Sequence, residues 1–179
     1  MKIIKYSLIL LFLVSLISSC GSKKNKTYAK KTHRSSRTTT TVSSNKETKG
    51  NEKTNTVVSE ARNYFGTKYR YGGTDRKGID CSGLMCAAYS SIKVQLPRTS
   101  SEQSTIGKRV YIGELQPGDL IFFGNSPNSK KITHVGLISY VSTNSIKFIH
   151  ASTRAGVVES ELLSNWYKPR YIKAVRPLK

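Results

Sequence analysis

The apolar residues of this chain change period once, between the segments LPRTSSEQ and QPGDLIFFG. Before that point they recur at helical spacing. In VVSEARNYFG, residues Val57, Val58, Ala61, Tyr64 and Phe65 fall at i, i+1, i+4, i+7 and i+8 and lead to Gly66, which gives one apolar helix face and a C-terminal stop. Residues 81–92 form a second helix with Leu84, Ala88 and Ile92 in one row. Ser100 and Gln103 have capping-box spacing at the start of a short third helix. After the change, QPGDLIFFG reads as a turn and a buried strand, ITHVGLISYV as a strand, SIKFIHAS as its alternating partner and RYIKAVRP as a final strand. Helices first and strands afterwards predict an α+β domain built on an antiparallel sheet.

That domain is expected to occupy residues 54–179, where 18 Lys or Arg face 8 Asp or Glu. Residues 21–53 hold ten Lys or Arg, two acids (Glu47 and Glu52) and four consecutive threonines. So polar a segment cannot bury enough surface to offset its ordering entropy, so residues 20–53 are expected to form a disordered, self-repelling spacer. Its charge suits anionic lipid headgroups or wall polymers. The first residues, MKIIKYSLILLFLVSLISSC, have a basic start and an apolar run that is shorter than the about 20 residues of a membrane span. They follow the plan of a signal peptide, expected over residues 1–19. The ending Ile17-Ser18-Ser19-Cys20 resembles the lipobox of bacterial lipoproteins, which would make Cys20 a lipidated N-terminus and a membrane anchor. The expected location is the bacterial envelope, on the outer membrane or the outer face of the cytoplasmic membrane. An exported chain would seldom meet nucleic acid, and none is expected as a partner.

Within the domain only Cys81 and Cys86 remain. Five residues apart on a helix means about 7.5 Å of rise and different faces, beyond the reach of a disulfide. Cys86 reads as a small buried hydrophobe. Cys81 follows the loop RYGGTDRKGID and opens a helix, with Asp80 as the N-cap candidate and Gly72, Gly73 and Gly78 allowing tight turns. Unpaired N–H groups and the helix dipole at such a place are expected to lower a thiol pKa. From this stretch alone, nucleophile and packing residue are equal readings.

A cysteine nucleophile needs a base, and the base needs a third group to orient it. His134 lies in one predicted strand and His150 in the next. If their connection is tight and centred on Ser142–Asn144, an even-sum register puts both on one face, opposite or diagonal to each other. The same trio could ligate a metal, but it lacks close ligand spacing, and no metal is expected.

The motifs YRYGGTDRKGIDCSGL, LPRTSSEQ, LQPGDLIFF, HVGLI and FIHAS, in that order and spacing, resemble the NlpC family of papain-like bacterial cell-wall peptidases over nearly all of residues 54–179. The resemblance implies a papain-like α+β domain in which a helix-borne cysteine faces an antiparallel sheet carrying two histidines. It implies Cys81 as nucleophile, His134 as base and His150 as the polar residue that orients it. Tyr69 would border the nucleophile and help the oxyanion site, and Asp80 and Ser82 would shape substrate binding beside it. The implied reaction is hydrolysis of amide bonds in peptidoglycan stem peptides or cross-links, by a monomer with no metal or organic cofactor. A non-catalytic wall-binding protein, or a thioester-forming amidase or acyltransferase on the same fold, stays open as an alternative.

Overall fold

The computed structural model describes residues 44–178. They form three α-helices, α1 (Ser44–Asn63), α2 (Cys81–Ser90) and α3 (Ser100–Gln103), and eight strands. The strands are β1 (Thr74–Asp75), β2 (Gly78–Ile79), β3 (Lys108–Val110), β4 (Leu120–Phe123), β5 (His134–Val141), β6 (Ile146–Ser152), β7 (Gly156–Glu161) and β8 (Tyr171–Arg176). β1 and β2 pair as a small hairpin, and the other six make one antiparallel sheet in the order β3-β8-β4-β5-β6-β7. This is the predicted α+β arrangement. The expected signal peptide, Cys20 and the spacer as far as residue 43 lie outside the described residues.

Helix α1 starts ten residues earlier than the expected domain boundary, at Ser44. Its C-terminal half docks through Val57, Val58 and Ala61, all buried. Once that half is fixed, extending the helix adds one hydrogen bond per residue without a new nucleation cost, so polar residues 44–53 can continue it. It ends at Asn63, so Tyr64 and Phe65 fall in the turn beyond it and Phe65 is exposed rather than on the buried face; Gly66 takes φ +79° and its N–H bonds Val157 O at 3.0 Å, tying this turn to β7. Helix α3 is capped one residue earlier than predicted. Thr99 and Glu102 form the capping box, with Thr99 Oγ1 accepting from Glu102 N at 3.3 Å and the Glu102 carboxylate accepting from Thr99 N at 3.2 Å. Gln103 is instead fully buried, and its Nε2 donates to Pro97 O at 2.8 Å and Ser82 O at 3.1 Å, pinning α3 against α2.

The sheet is covered on both faces. Leu120, Phe122, Val135, Leu137, Ile149 and Val175 pack with α1 and α2 in one core. Ile121, Phe123, Ile138, Phe148 and Ala174 point the other way and pack with Leu162, Tyr167 and Tyr171 in a second. With both faces buried, β4 reads LIFF, a continuous apolar run. Tyr89 of α2 is fully buried and donates its hydroxyl to Gly118 O, which joins the helix to the turn before β4. In that turn the buried Asp119 accepts from Gln116 N at 2.8 Å and pairs with Arg176 of β8 at 2.7 Å.

The β5–β6 hairpin departs from the simple predicted register. Near the turn, Val141 faces Ile146 and Tyr140 faces Lys147, an odd-sum pairing that would send His134 and His150 to opposite faces. A bulge at Ser139 absorbs one residue, and beyond it Ile138 faces Phe148 and Leu137 faces Ile149, an even-sum pairing. The bulge is held by Ser139 Oγ, which donates to Glu159 of β7 at 2.7 Å. The two histidines therefore do share a face, diagonal to each other, but two odd steps produce that parity rather than one tight turn.

Candidate active site

The nucleophile candidate is set by the loop before α2. Arg70 N bonds Ile79 O at 3.2 Å and Ile79 N bonds Lys68 O at 3.1 Å, so Tyr69 is held alongside Ile79, two residues ahead of Cys81. Gly72 takes φ +74°, and a side chain at Gly73 would collide with Gly78 O at 2.2 Å, which is why the paired glycines are needed to close this loop. Asp80 is the N-cap, as predicted: its Oδ1 accepts from Gly83 N at 2.7 Å and its Oδ2 from Gly72 N at 2.8 Å.

Asp80 also meets a residue with no role in the sequence reading. Arg98 grips it with Nη1 on Oδ1 at 2.9 Å and Nη2 on Oδ2 at 2.6 Å, and Nη1 also reaches Ser82 Oγ at 2.8 Å. Burial alone would raise the Asp80 carboxyl, but the Arg98 bonds and charge and the Gly83 and Gly72 N–H groups outweigh it and hold it below its ordinary value. The polar atoms of Asp80 and Ser82 are thus turned toward each other and Arg98. The Arg98 side chain, 41% exposed, is the part of this flank that solvent meets.

Cys81 is 7% exposed, and neither it nor Cys86 is in a disulfide; Cys86 is only half-buried rather than a core hydrophobe, with its Sγ donating to Pro97 O at 3.4 Å. Burial pushes the Cys81 thiol up, and the Asp80 charge adds to this, while the N–H groups of Val135, Ser82 and Cys81 itself pull the other way. The expected lowering at a helix start is therefore overturned by desolvation. Cys81 and Val135 share the helix-side core, so the cysteine lies near the strand that begins at His134. Val135 belongs to the helix-side core, and alternation along β5 sends His134 to the opposite face. Cys81 is the first residue of α2 and His134 the first of β5, so each stands at the start of its element.

His134 Nε2 and His150 Nδ1 are 2.9 Å apart. Beyond them, His150 Nε2 lies 3.0 Å from Ser160 Oγ on β7 and 3.1 Å from the Tyr167 hydroxyl. Phe148 stacks on His150 at 4.9 Å. For His134 Nδ1 to accept a proton, Nε2 must carry one and donate it to His150 Nδ1. His150 then bears its own proton on Nε2, for which Ser160 and Tyr167 supply acceptor oxygens. Both residues lie outside the sequence prediction: β7 was not foreseen as a strand, and Tyr167 sits in an irregular segment. The β-branched pair Val157-Val158 directly after Gly156 is the available signal. His134 keeps part of its surface on the cleft while the packing around the rest pushes it down to about 4, and burial together with the His134 charge pushes the fully buried His150 down to about 3, so both are neutral at pH 7.

Tyr69 packs against the cluster that contains Cys81, and burial, followed by the charges of Cys81 and Asp80, raises its pKa, which keeps the hydroxyl a donor. With His134, His150 and Tyr167 it lines a cleft of about 540 Å³. The arrangement has the parts for acyl transfer to sulfur: a thiol, a neutral base, an orienting imidazole, and donors at the helix start and on Tyr69. Among the described residues no three His, Cys, Asp or Glu side chains gather as a metal site.

Comparison with known proteins agrees with this geometry. The chain is 37% identical over 121 residues to the probable endopeptidase NlpC homolog of Haemophilus influenzae, covering 67% of this chain and 61% of the relative. It is 36% identical over 123 residues to the murein DD-endopeptidase MepS/murein LD-carboxypeptidase of Escherichia coli, covering 68% and 62%. It thus spans about three fifths of the length of these relatives. A crystal structure of an NlpC/P60 family protein from Bacillus cereus superposes with a TM-score of 0.64 at 30% identity, over 70% of this chain and 40% of that one. Residues 66–176, which include every site residue described above, match the NlpC/P60 family, and the chain belongs to it.

Proposed function

We propose that the chain is a cysteine endopeptidase that hydrolyses amide bonds in peptidoglycan stem peptides or cross-links. The observation that carries this reading is the 2.9 Å contact between His134 Nε2 and His150 Nδ1, which leaves His134 Nδ1 for the thiol of Cys81, a residue packed with the neighbouring Val135. Relatives named as endopeptidases, one of them a murein DD-endopeptidase, support the choice of substrate.

With the thiol raised and the imidazole lowered, the resting pair is neutral, so proton transfer accompanies attack. His134 Nδ1 takes the Cys81 proton as sulfur bonds to the carbonyl carbon. The oxyanion is held by the Cys81 backbone N–H and the Tyr69 hydroxyl. Collapse breaks the C–N bond, His134 returns the proton to the leaving amine, and a thioester remains. Water then gives a proton to His134 and attacks the thioester, which releases the carboxylic acid and restores the thiol.

The decisive experiment is mass spectrometry of defined muropeptides treated with the enzyme and with Cys81→Ser. Wild type should cut one class of amide bond. The variant should fold normally and lose roughly 10⁴-fold or more, because a hydroxyl lacks the acidity and nucleophilicity of a thiol. Cleavage that survives in Cys81→Ser would remove the cysteine mechanism.

The lipidated Cys20, preceded by a signal peptide over residues 1–19 and followed by a basic spacer, completes the proposal by placing the domain at the bacterial envelope. It rests on the short apolar run ending in Ile17-Ser18-Ser19-Cys20. Membrane fractionation of wild type and Cys20→Ser tests it, with the variant expected in the soluble fraction.

A further inference from the structure

The steps above assign the hydrolytic groups but leave unassigned what holds the fragment that departs. His134 must hand its proton to the leaving nitrogen, so that fragment has to lie against His134. The 540 Å³ cleft begins there. Its walls come from the end of β4, the β4–β5 loop, the β6–β7 turn and the segment 166–170, and none of Asp80, Ser82 or Arg98 lines it. The volume is in the range of small-molecule sites.

The chemistry of its lining is one-sided. Arg154 and Arg170 both line it, no Asp or Glu does, and among the described residues neither arginine is ion-paired. Arg170 is fixed in place: its guanidinium lies 3.8 Å from the Trp166 ring centroid and its Nη1 donates to Trp166 O at 2.7 Å, while its Nε is buried with no partner. Arg154 comes from the β6–β7 turn, which Ser152 Oγ steadies by accepting from Arg154 N and Ala155 N at 3.3 Å. Trp166 is 62% exposed and adds an aromatic wall. A site with two guanidinium groups and no opposing acid is built for an anion, and the anion a peptide fragment carries is a carboxylate.

We propose that this cleft is the leaving-group subsite, where Arg154 and Arg170 recognise a free carboxylate on the amine-bearing fragment. The proposal rests on the endopeptidase reading, but its test does not require turnover. Trp166 is the only tryptophan of the chain, so its fluorescence reports binding in the cleft. The full chain is titrated with D-alanyl-D-alanine and with the C-terminal amide of the same dipeptide.

The free acid should bind at least about tenfold more tightly than the amide, as expected for charge-assisted hydrogen bonds. The preference should shrink toward unity in Arg154→Gln and in Arg170→Gln. Because Arg170 also packs on Trp166, the Arg154 variant at an exposed turn keeps the test decisive if Arg170→Gln misfolds. Equal affinity for acid and amide in wild type, no saturable signal with either, or a preference that survives Arg154→Gln would overturn the subsite. An enzyme that cleaves muropeptides without the preference sinks the subsite alone. A chain that shows the preference but never cleaves sinks the endopeptidase reading instead.

Discussion

The two flanks of Cys81 solve opposite electrostatic problems. On one side Asp80 and Arg98 form a fixed ion pair whose carboxylate accepts five hydrogen bonds, from Gly72, Gly83, Ser82 and both Arg98 Nη atoms. On the other side His134, His150, Ser160 and Tyr167 form a neutral chain in which every link can pass or reorient a proton. The difference shows how a buried thiol can be made useful without being ionised at rest. Charge is locked where it holds the helix start and the loop in place, and the surrounding packing keeps charge off the groups that exchange protons in the proposed mechanism.

Substitutions that separate the flanks test this contrast, and the largest effect belongs to the proton-exchanging one. His134→Ala should lower kcat/KM by roughly 10³-fold or more while leaving the melting temperature nearly unchanged, because it removes the base of the proposed mechanism but no buried charge. On the fixed flank, Arg98→Gln should do the reverse in proportion. It should cost about 1–3 kcal/mol of stability by stripping partners from a buried carboxylate, with a smaller loss of activity that follows from loosening the loop. Chemical denaturation beside muropeptide turnover reads both, and a His134 variant that melts like the Arg98 variant would erase the distinction.

The pH profile sharpens the same point. With His134 at about 4, the acid limb of kcat/KM should lie well below the ordinary imidazole value of about 6.5. Stability moves in the matching direction. The histidines are neutral in the fold, whereas the unfolded chain binds their protons near pH 6.5, so stability should be complete above that value and decline as pH falls toward 4 and then 3. A rate profile with its acid limb at 6.5, measured where circular dichroism shows an intact fold, would contradict the neutral histidine pair.

Smaller effects are expected one step out. Tyr167→Phe and Ser160→Ala should each cost about 2- to 10-fold, because the His150 Nε2 proton keeps one acceptor when the other is removed. The double substitution should exceed the product of the singles. His150→Gln should retain more activity than His150→Ala. The smallest signal is kinetic: Cys81 alkylation by iodoacetamide should rise through a pKa above, not below, the free-thiol value of about 8.5.

Much of the helix-start flank could be read directly. Asp80, Cys81 and the paired glycines are contiguous, and local chemistry such as an N-cap and a positive φ at Gly72 depends only on neighbours in sequence. The partners brought by the fold were harder. Arg98 in LPRTS gives no periodic signal, and Ser160 lies on a strand whose outward residues are polar. Pairing of β5 and β6 was legible, but the bulge at Ser139 was not, because the side chain that meets the bulged residue, Glu159, lies two strands away. The thiol shift was missed for a similar reason, since a helix terminus is visible in sequence while the depth of its burial is not.

The bulge carries a consequence best stated in the language of frames. Strand pairing reads residues in twos, and between His134 and His150 the turn Ser142–Ser145 shifts that frame by one and Ser139 shifts it back. A single insertion or deletion anywhere in this hairpin behaves like a frameshift: it touches neither histidine yet rotates one of them through to the other side of the sheet. A second indel of opposite effect acts as a suppressor. Chains that keep the His134–His150 contact should therefore vary this hairpin in steps of two, or exchange a bulge for every odd change in the length of the turn.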